Sequence, residues 1–500
     1  MLTVNPKRMK KRKLKILSIL MFGAVISASA QLQPAGTPGV QPASVTQEQI
    51  IDSSQIFSVR LFQEIVLKNH PIVRQATLLS ASARADVMQA LGKFDPLLES
   101  TFDRKEFGNT DYYSNWSNQL KVPLWLAGAD LKIGYDHFTG ENVNPQYITP
   151  EQGLSSVGIS IPLGQGFIID ARRNVLRQSK IMMRYAEAER VKQILSVWYS
   201  AVSDYWNWYL AFTEYMLLRE GVDLATTRFV ALRGQTMIGD KPPIDTVEAR
   251  ITVQDRQIQL AKLSIELNNR ALLLSNHLWD SSYSPLELPV DAIPEQPNEK
   301  MLKPENEQID TLINFASAQH PNLLMLRAKS ARLEVERLYR RELLKPRMNL
   351  TGSLITARDR FGAFNPHYYD IAWRNYKFGV DFSLPLFLRA ERGKLRAVKI
   401  QQDQLDLDLQ QTDREIRNDI ITSYNTLLAY RNQLEIQVAS IDYQQQLLDA
   451  EQQKYALGES TLFLINNRET KLIDMKIKRA EMIAGYQKSL AKLYYNAGTR

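Results

Sequence analysis

The chain has 500 residues, a formal net charge of +8 and no cysteine, which excludes disulfides, thiolate metal sites and lipid attachment through an N-terminal cysteine. The basic balance is local: seven Lys and Arg but no acid precede Gln31, so the rest of the 62 bases nearly matches the 54 acids, leaving about +1. A near-neutral chain gives no basis for nucleic-acid binding.

Residues 1–30 read as a secretory signal peptide. Lys7, Arg8, Lys10, Lys11, Arg12, Lys13 and Lys15 precede a short apolar run, and Ala28-Ser29-Ala30 supplies a cleavage site before Gln31. Residues 31–54, rich in Gln, Thr, Pro and Ser, read as a flexible lead-in. Beyond the leader no apolar run is long enough for a transmembrane helix, so a membrane-embedded chain would need a closed β-barrel.

Two copies of one plan follow, residues 55–280 and 311–500. Asn69-His70-Pro71 reappears as Gln319-His320-Pro321, and Pro96 reappears as Pro346. Ser160-Ile161-Pro162-Leu163 matches Ser383-Leu384-Pro385-Leu386, Leu210-Ala211-Phe212 matches Leu428-Ala429-Tyr430, and Gly239 matches Gly458. Landmarks in one order imply a duplicated unit of helix, strands, very long helix, sharp turn and helix. Pro71 and Pro321 mark helix starts, and Gly239 and Gly458 mark the turns. Residues 281–310 hold Pro285, Pro289, Pro294, Pro297 and Pro304 and read as a connector between the copies.

In copy one, strands are expected near 97–106 and 155–163, with an extra pair near 118–125 and 129–138 that either joins the barrel or lies outside it. Copy two offers 347–356 and 377–386. Lys377-Phe378-Gly379-Val380-Asp381-Phe382 puts rings and Val on one face and charged or small residues on the other. That alternation suits lipid outside and water inside, although a half-exposed soluble sheet alternates too. Tyr112, Tyr113, Trp116, Trp125, Tyr368, Tyr369, Trp373 and Tyr376 are expected at strand ends or loops, as an interfacial belt.

Residues 171–238 contain no Pro, and residues 394–457 contain neither Gly nor Pro. Each would form a helix of about 100 Å at 1.5 Å per residue. Ile420, Leu427, Leu434, Ile441, Leu448 and Tyr455 repeat every seven residues, and Leu210, Leu217, Leu224, Ala231 and Ile238 repeat likewise. Such rows need partner helices along their length.

These features together resemble the TolC-like outer-membrane efflux and secretion channels over about residues 55–498. The stretch from Tyr455 through Gly458 to Glu469 looks like the family's second helix-turn motif, and Gly239 through Arg250 looks like the first. The resemblance implies a homotrimer whose subunits pool strands into one outer-membrane barrel and helices into one periplasmic coiled-coil barrel. It implies a periplasmic adaptor and an inner-membrane pump or ABC transporter as partners, and no cofactor. It places Asp245, Arg250, Leu464, Asn467 and Arg468 at the periplasmic tip. Asp245 stands there either in a gating ring or, on the other reading, as a helix cap or an exposed surface residue. Leu464 and Asn467 replace the family's acids, which weakens cation selectivity.

Catalysis has no foothold: His70, His137, His277, His320 and His367 are scattered, and no phosphate loop or nucleophile elbow is present. The rival reading is a soluble periplasmic adaptor built from coiled-coil hairpins.

Overall fold

The computed structural model describes residues 56–297, 309–357 and 373–500. The expected signal peptide and lead-in, Tyr368, Tyr369, His367 and part of the proline-rich connector lie outside the described residues.

In chain order the elements are β1 (Ile56–Phe57), α1 (Val59–Asn69), α2 (Pro71–Leu91), β2 (Leu97–Phe107), β3 (Thr110–Pro123), β4 (Asp130–Thr139), β5 (Leu154–Pro162), α3 (Ala171–Met237) and α4 (Pro243–Ser275). There follow β6 (Ile293–Pro294), α5 (Ile309–Gln319), α6 (Pro321–Glu342), β7 (Arg347–Ala357), β8 (Tyr376–Ser383), α7 (Arg389–Ala456) and α8 (Leu462–Ala497). α5 through α8 repeat the order of α1 through α4, and β7–β8 stand where copy one has four strands.

The two halves begin their second helices identically. His70 and His320 are the N-caps of α2 and α6, each accepting at Nδ1 a backbone N–H two residues on, from Ile72 and Asn322, at 3.2 Å. Pro71 and Pro321 take the first helical position, where an N–H would have no helical partner. Burial pulls both imidazoles down to about 4, helped by the facing charge of His277 on His70 and of Lys192 on His320.

α3 spans 67 residues and α7 spans 68, so each runs about 100 Å. Near the tip α3 packs against α4 and α8, and α7 packs against α8. Near the sheet α3 packs between α2 and α6, and α6 against α7. At each level four helices stand side by side, with α7 at one edge and α4 or α2 at the other.

The apolar row of α7 holds as expected at Ile420, Leu427, Leu434 and Leu448, all buried. The row expected on α3 is displaced by one residue. Ala211, Leu218, Ala225 and Leu232 are the buried series, whereas Leu224 and Ile238 are exposed. The physical reason is close approach. α3 has neighbours on several sides, and Gly221, where a Cβ would meet Ile473 at 2.9 Å, together with Ala211 and Ala225 lets them approach between Leu218 and Leu232.

The six longer strands form one sheet in the order β2-β3-β4-β5-β7-β8, antiparallel throughout. The extra hairpin, left open by the sequence, is therefore part of the sheet. Register sorts the side chains cleanly. Leu98, Leu120, Ile133, Val157, Leu354 and Tyr376 form one cross-strand row, and Val122, Leu131, Ile159, Gly352 and Phe378 form the next, on the same face. The opposite face carries Glu99, Gln119, Gly134, Ser156, Ile355 and their neighbours, mostly polar or small. Trp116 departs from the belt expectation: it lies inside β3, paired with Phe102, while Trp125 lies in the β3–β4 turn stacked on Phe94 at 4.3 Å.

Because both imidazoles are neutral when folded and titrate near the model-peptide value of 6.5 when unfolded, the unfolded chain binds more protons between pH 6.5 and 4. Stability is thus full above pH 6.5 and falls as pH drops toward 4. Thermal unfolding followed by circular dichroism across that range should show this slope. The double variant His70→Asn and His320→Asn, which keeps a capping acceptor without titrating, should flatten it.

Candidate functional site at the helical tip

The turns joining α3 to α4 and α7 to α8 are built alike. Gly239 and Gly458 have φ of +83° and +81°, a conformation that glycine adopts without a Cβ penalty. Gly239 N–H bonds Thr236 O at 3.0 Å and Asp240 N–H bonds Gln235 O at 2.9 Å. Gly458 N–H bonds Tyr455 O at 3.0 Å and Glu459 N–H bonds Lys454 O at 2.8 Å. Both are Schellman caps, which turn the chain while satisfying the last carbonyls of the long helices.

The two turns are packed together. Leu232 of α3, Ala249 of α4 and Leu462 of α8 form one small core, with Phe229 and Tyr455 against it. Leu448, Ile465 and Leu472 form another, which also touches Tyr455. Lys241 stands 4.7 Å above the Tyr455 ring. Burial raises the Tyr455 hydroxyl above its ordinary value, and the nearby Asp245 carboxylate adds to that shift.

Asp245 lies in the first turn of α4, where its charge favours the helix N-terminus, but Pro242 is the cap residue and no side chain caps the helix. The capping alternative is therefore replaced by a dipole contact, with the carboxylate facing Tyr455. Arg250 is exposed, one turn further along α4. Leu464 is exposed at 39%, and Asn467 is exposed one turn beyond it on α8. Arg468 approaches Glu451 of α7 at 3.9 Å, and Glu451 also accepts from Ser460. The structure thus brings Asp245 to Tyr455 and Arg468 to Glu451, while Arg250, Leu464 and Asn467 face outward.

Sequence reasoning missed the strongest polar feature at this end. Glu469, 3% exposed on α8, accepts from Arg228 of α3 at 3.0 and 3.2 Å and from Arg256 of α4 at 2.9 Å. Arg256 also donates to Gly221 O at 2.7 Å, and Arg228 donates to Asn466 at 2.9 Å. Burial would raise the Glu469 carboxyl, but hydrogen bonds and charge from the two arginines outweigh it and hold it below the usual range. One carboxylate therefore ties hairpin α3–α4 to hairpin α7–α8. Its sequence signal was faint, since three charges 28 to 241 positions apart share no motif. Among the described residues no cluster of His, Asp and Glu could hold a metal.

The comparisons with known proteins bear on this architecture. Residues 312–498 match the outer membrane efflux protein family. A search of curated proteins finds no match. Among solved structures, the fold is similar to the CmeC outer membrane channel of Campylobacter jejuni, with a TM-score of 0.60 at 14% identity, covering 88% of this chain and 85% of that one. It is similar to the outer membrane protein VceC of Vibrio cholerae, with a TM-score of 0.62 at 13% identity, covering 88% and 96%. It is also similar to the open state of the MtrE outer membrane channel of Neisseria gonorrhoeae, with a TM-score of 0.63 at 14% identity, covering 88% of each.

Removing the clamp's single acid leaves two arginines facing each other in a buried site. Glu469→Gln should cost about 3–5 kcal/mol, the usual penalty for stranding a buried charge. Thermal unfolding of the purified protein reads this directly. A loss no larger than that of an exposed control, Glu459→Gln, would show that the clamp does not hold the hairpins.

Proposed function

We propose that this chain is an export duct of the outer membrane with a large periplasmic part. In this reading it forms a homotrimer, receives cargo from an inner-membrane pump or ABC transporter through a periplasmic adaptor, and catalyses nothing. The observation that carries the reading is the uncovered apolar face of the sheet. Leu98, Phe102, Val157, Phe378, Val380 and Phe382 are each about half exposed or more, and no described helix packs over them. No described helix is long and apolar enough to cross a membrane, so the sheet is the element suited to lipid. A soluble adaptor would leave that face in water, which sets the rival reading aside.

The free edges of the protomer support its pairing with copies of itself. Among the described strands, β2 and β8 are the unpaired edges, and they run antiparallel to one another. On α4, Ile244, Ile251, Ile258, Ile265 and Leu272 repeat every seven residues and are 53–69% exposed. On α7, Ile436 and Tyr443 are 68% and 67% exposed, Leu457 at its C-cap is 75% exposed, and Ile400 and Leu407 extend the apolar edge toward the sheet. A coiled-coil seam of this kind wants a partner helix. With α4 at one edge and α7 at the other, the partner is the α7 edge of the next copy, just as β8 meets the next β2.

At the tip, three copies would bring Asp245, Arg250, Leu464 and Asn467 around one axis. Outward-facing Arg250 is placed to pair across to a neighbour, and Leu464 with Asn467 would give a constriction of low cation selectivity.

Two results are expected. Detergent extraction of the outer-membrane fraction should yield a particle of three chains, and Ile258→Lys with Ile265→Lys should reduce it to single chains without unfolding α3–α4. A single chain of wild-type protein released by salt alone would overturn the duct. Separately, Asp245→Ala with Arg250→Ala should increase entry of bulky antibiotics into cells, and unchanged entry would remove those residues from the gate.

A further inference from the structure

The hairpin β3–β4 changes the size of the outlet. In the second copy β7 is followed in the sheet by β8. In the first copy the corresponding pair, β2 and β5, is separated by two additional strands, hydrogen-bonded on both sides. The hairpin obeys the same facing rule as its neighbours: Leu120, Val122, Leu131 and Ile133 lie on the apolar face, and Gln119, Lys121, Lys132 and Gly134 lie on the polar one. It is therefore wall, not a flap laid on the wall.

We infer that the assembled barrel is a wide, charge-balanced outlet of eighteen strands, built to release bulky hydrated cargo of either charge sign. This rests on the trimer proposed above. Six strands per copy, each antiparallel to the next, leave β8 antiparallel to β2, so three copies close without a parallel seam. Strands about 4.8 Å apart and tilted by about 40° give a wall of roughly 110 Å circumference, about 35 Å across. The helical part agrees. Four helices per copy at each level make a ring of twelve, and at interaxial distances of about 9–10 Å that ring is also roughly 110–120 Å around. The strand wall then continues the helical wall without a neck, and the narrowest point lies at the tip rather than in the membrane.

The inner face fixes the chemistry. It carries Glu99, Asp103, Asp130, Asp136 and Asp381 against Lys105, Lys121, Lys132, Arg347 and Lys377, alternating with Ser, Thr, Asn and Gly. Several of these charges are already compensated: Lys121 reaches Asp130 at 3.4 Å, and Arg172 at the helix junction reaches the same carboxylate at 2.6 Å. A wide lumen of balanced sign neither concentrates one ion nor repels the other.

The absence of native cysteine makes the test clean. Single variants Gln119→Cys, Leu120→Cys, Lys132→Cys and Ile133→Cys are made in the full-length protein in outer membranes and treated with a membrane-impermeant maleimide small enough to enter the lumen. Ser156→Cys and Val157→Cys in β5 serve as the reference pair. The expected result is alternation in both sets, with Gln119→Cys, Lys132→Cys and Ser156→Cys labelled and their neighbours protected. Alternation in β5 but equal labelling across β3–β4 would place the hairpin in water and overturn the eighteen-strand wall while leaving the duct intact. Loss of alternation in β5 as well would overturn the duct itself. As an independent readout, neutral polymers about 20 Å across, added to the barrel side of channels in a planar bilayer, should enter and lower conductance. Their exclusion would also overturn the wide outlet.

Discussion

A helix of 67 residues cannot satisfy its own surface. α3 buries its Ala and Leu row among the helices packed on it, yet the chain still leaves apolar rows open on α4 and α7, at its two edges. The sheet repeats the same situation in a different currency of bonding, with unpaired backbone groups along β2 and β8. In the trimer proposed above, each edge would meet the opposite edge of a second copy. The closed repetition proposed above would cover every such surface at once. The Schellman turns reverse the helices at the far end, and the Arg228–Glu469–Arg256 clamp keeps the two hairpins in step before neighbours arrive.

Much of this was legible in the sequence because the governing signals are local or periodic. Gly239 and Gly458 announced turns because a left-handed residue is needed there, and both have that conformation. The α7 row was readable because Ile420, Leu427 and Leu434 are large and regularly spaced. The α3 row was misplaced by one residue because alanine at a tight contact carries less signal than leucine at an open one. Hydrophobicity marks what must be covered, not which neighbour covers it, and Leu224 is left over from the protomer's own packing.

Pairing of strands distant in sequence was less accessible. Nothing in residues 118–138 alone decides whether a hairpin joins β2 and β5 or stands apart, because its alternation suits both. Register decides it, and register is a property of the neighbours. The clamp was hidden for a similar reason. Glu469 lies among ordinary charged helix residues, and only the fold shows that it is buried between two arginines from the other hairpin. At the tip, the capping alternative for Asp245 gave way to Pro242, since a carboxylate three residues into the helix meets the dipole rather than the cap position.

The open apolar face of the sheet has a consequence for the time before assembly. A chain that folded its strands singly would present Phe102, Phe378 and Phe382 to water beside two strand edges that are unpaired among the described residues. That is the pattern that recruits other chains indiscriminately. In the proposed trimer, folding and association would therefore be coupled in time: the sheet would be covered only as copies and lipid meet it together, and chain concentration would set how long the hazard lasts. For the duct proposed above, the stage before copies and lipid meet would therefore be the most aggregation-prone one.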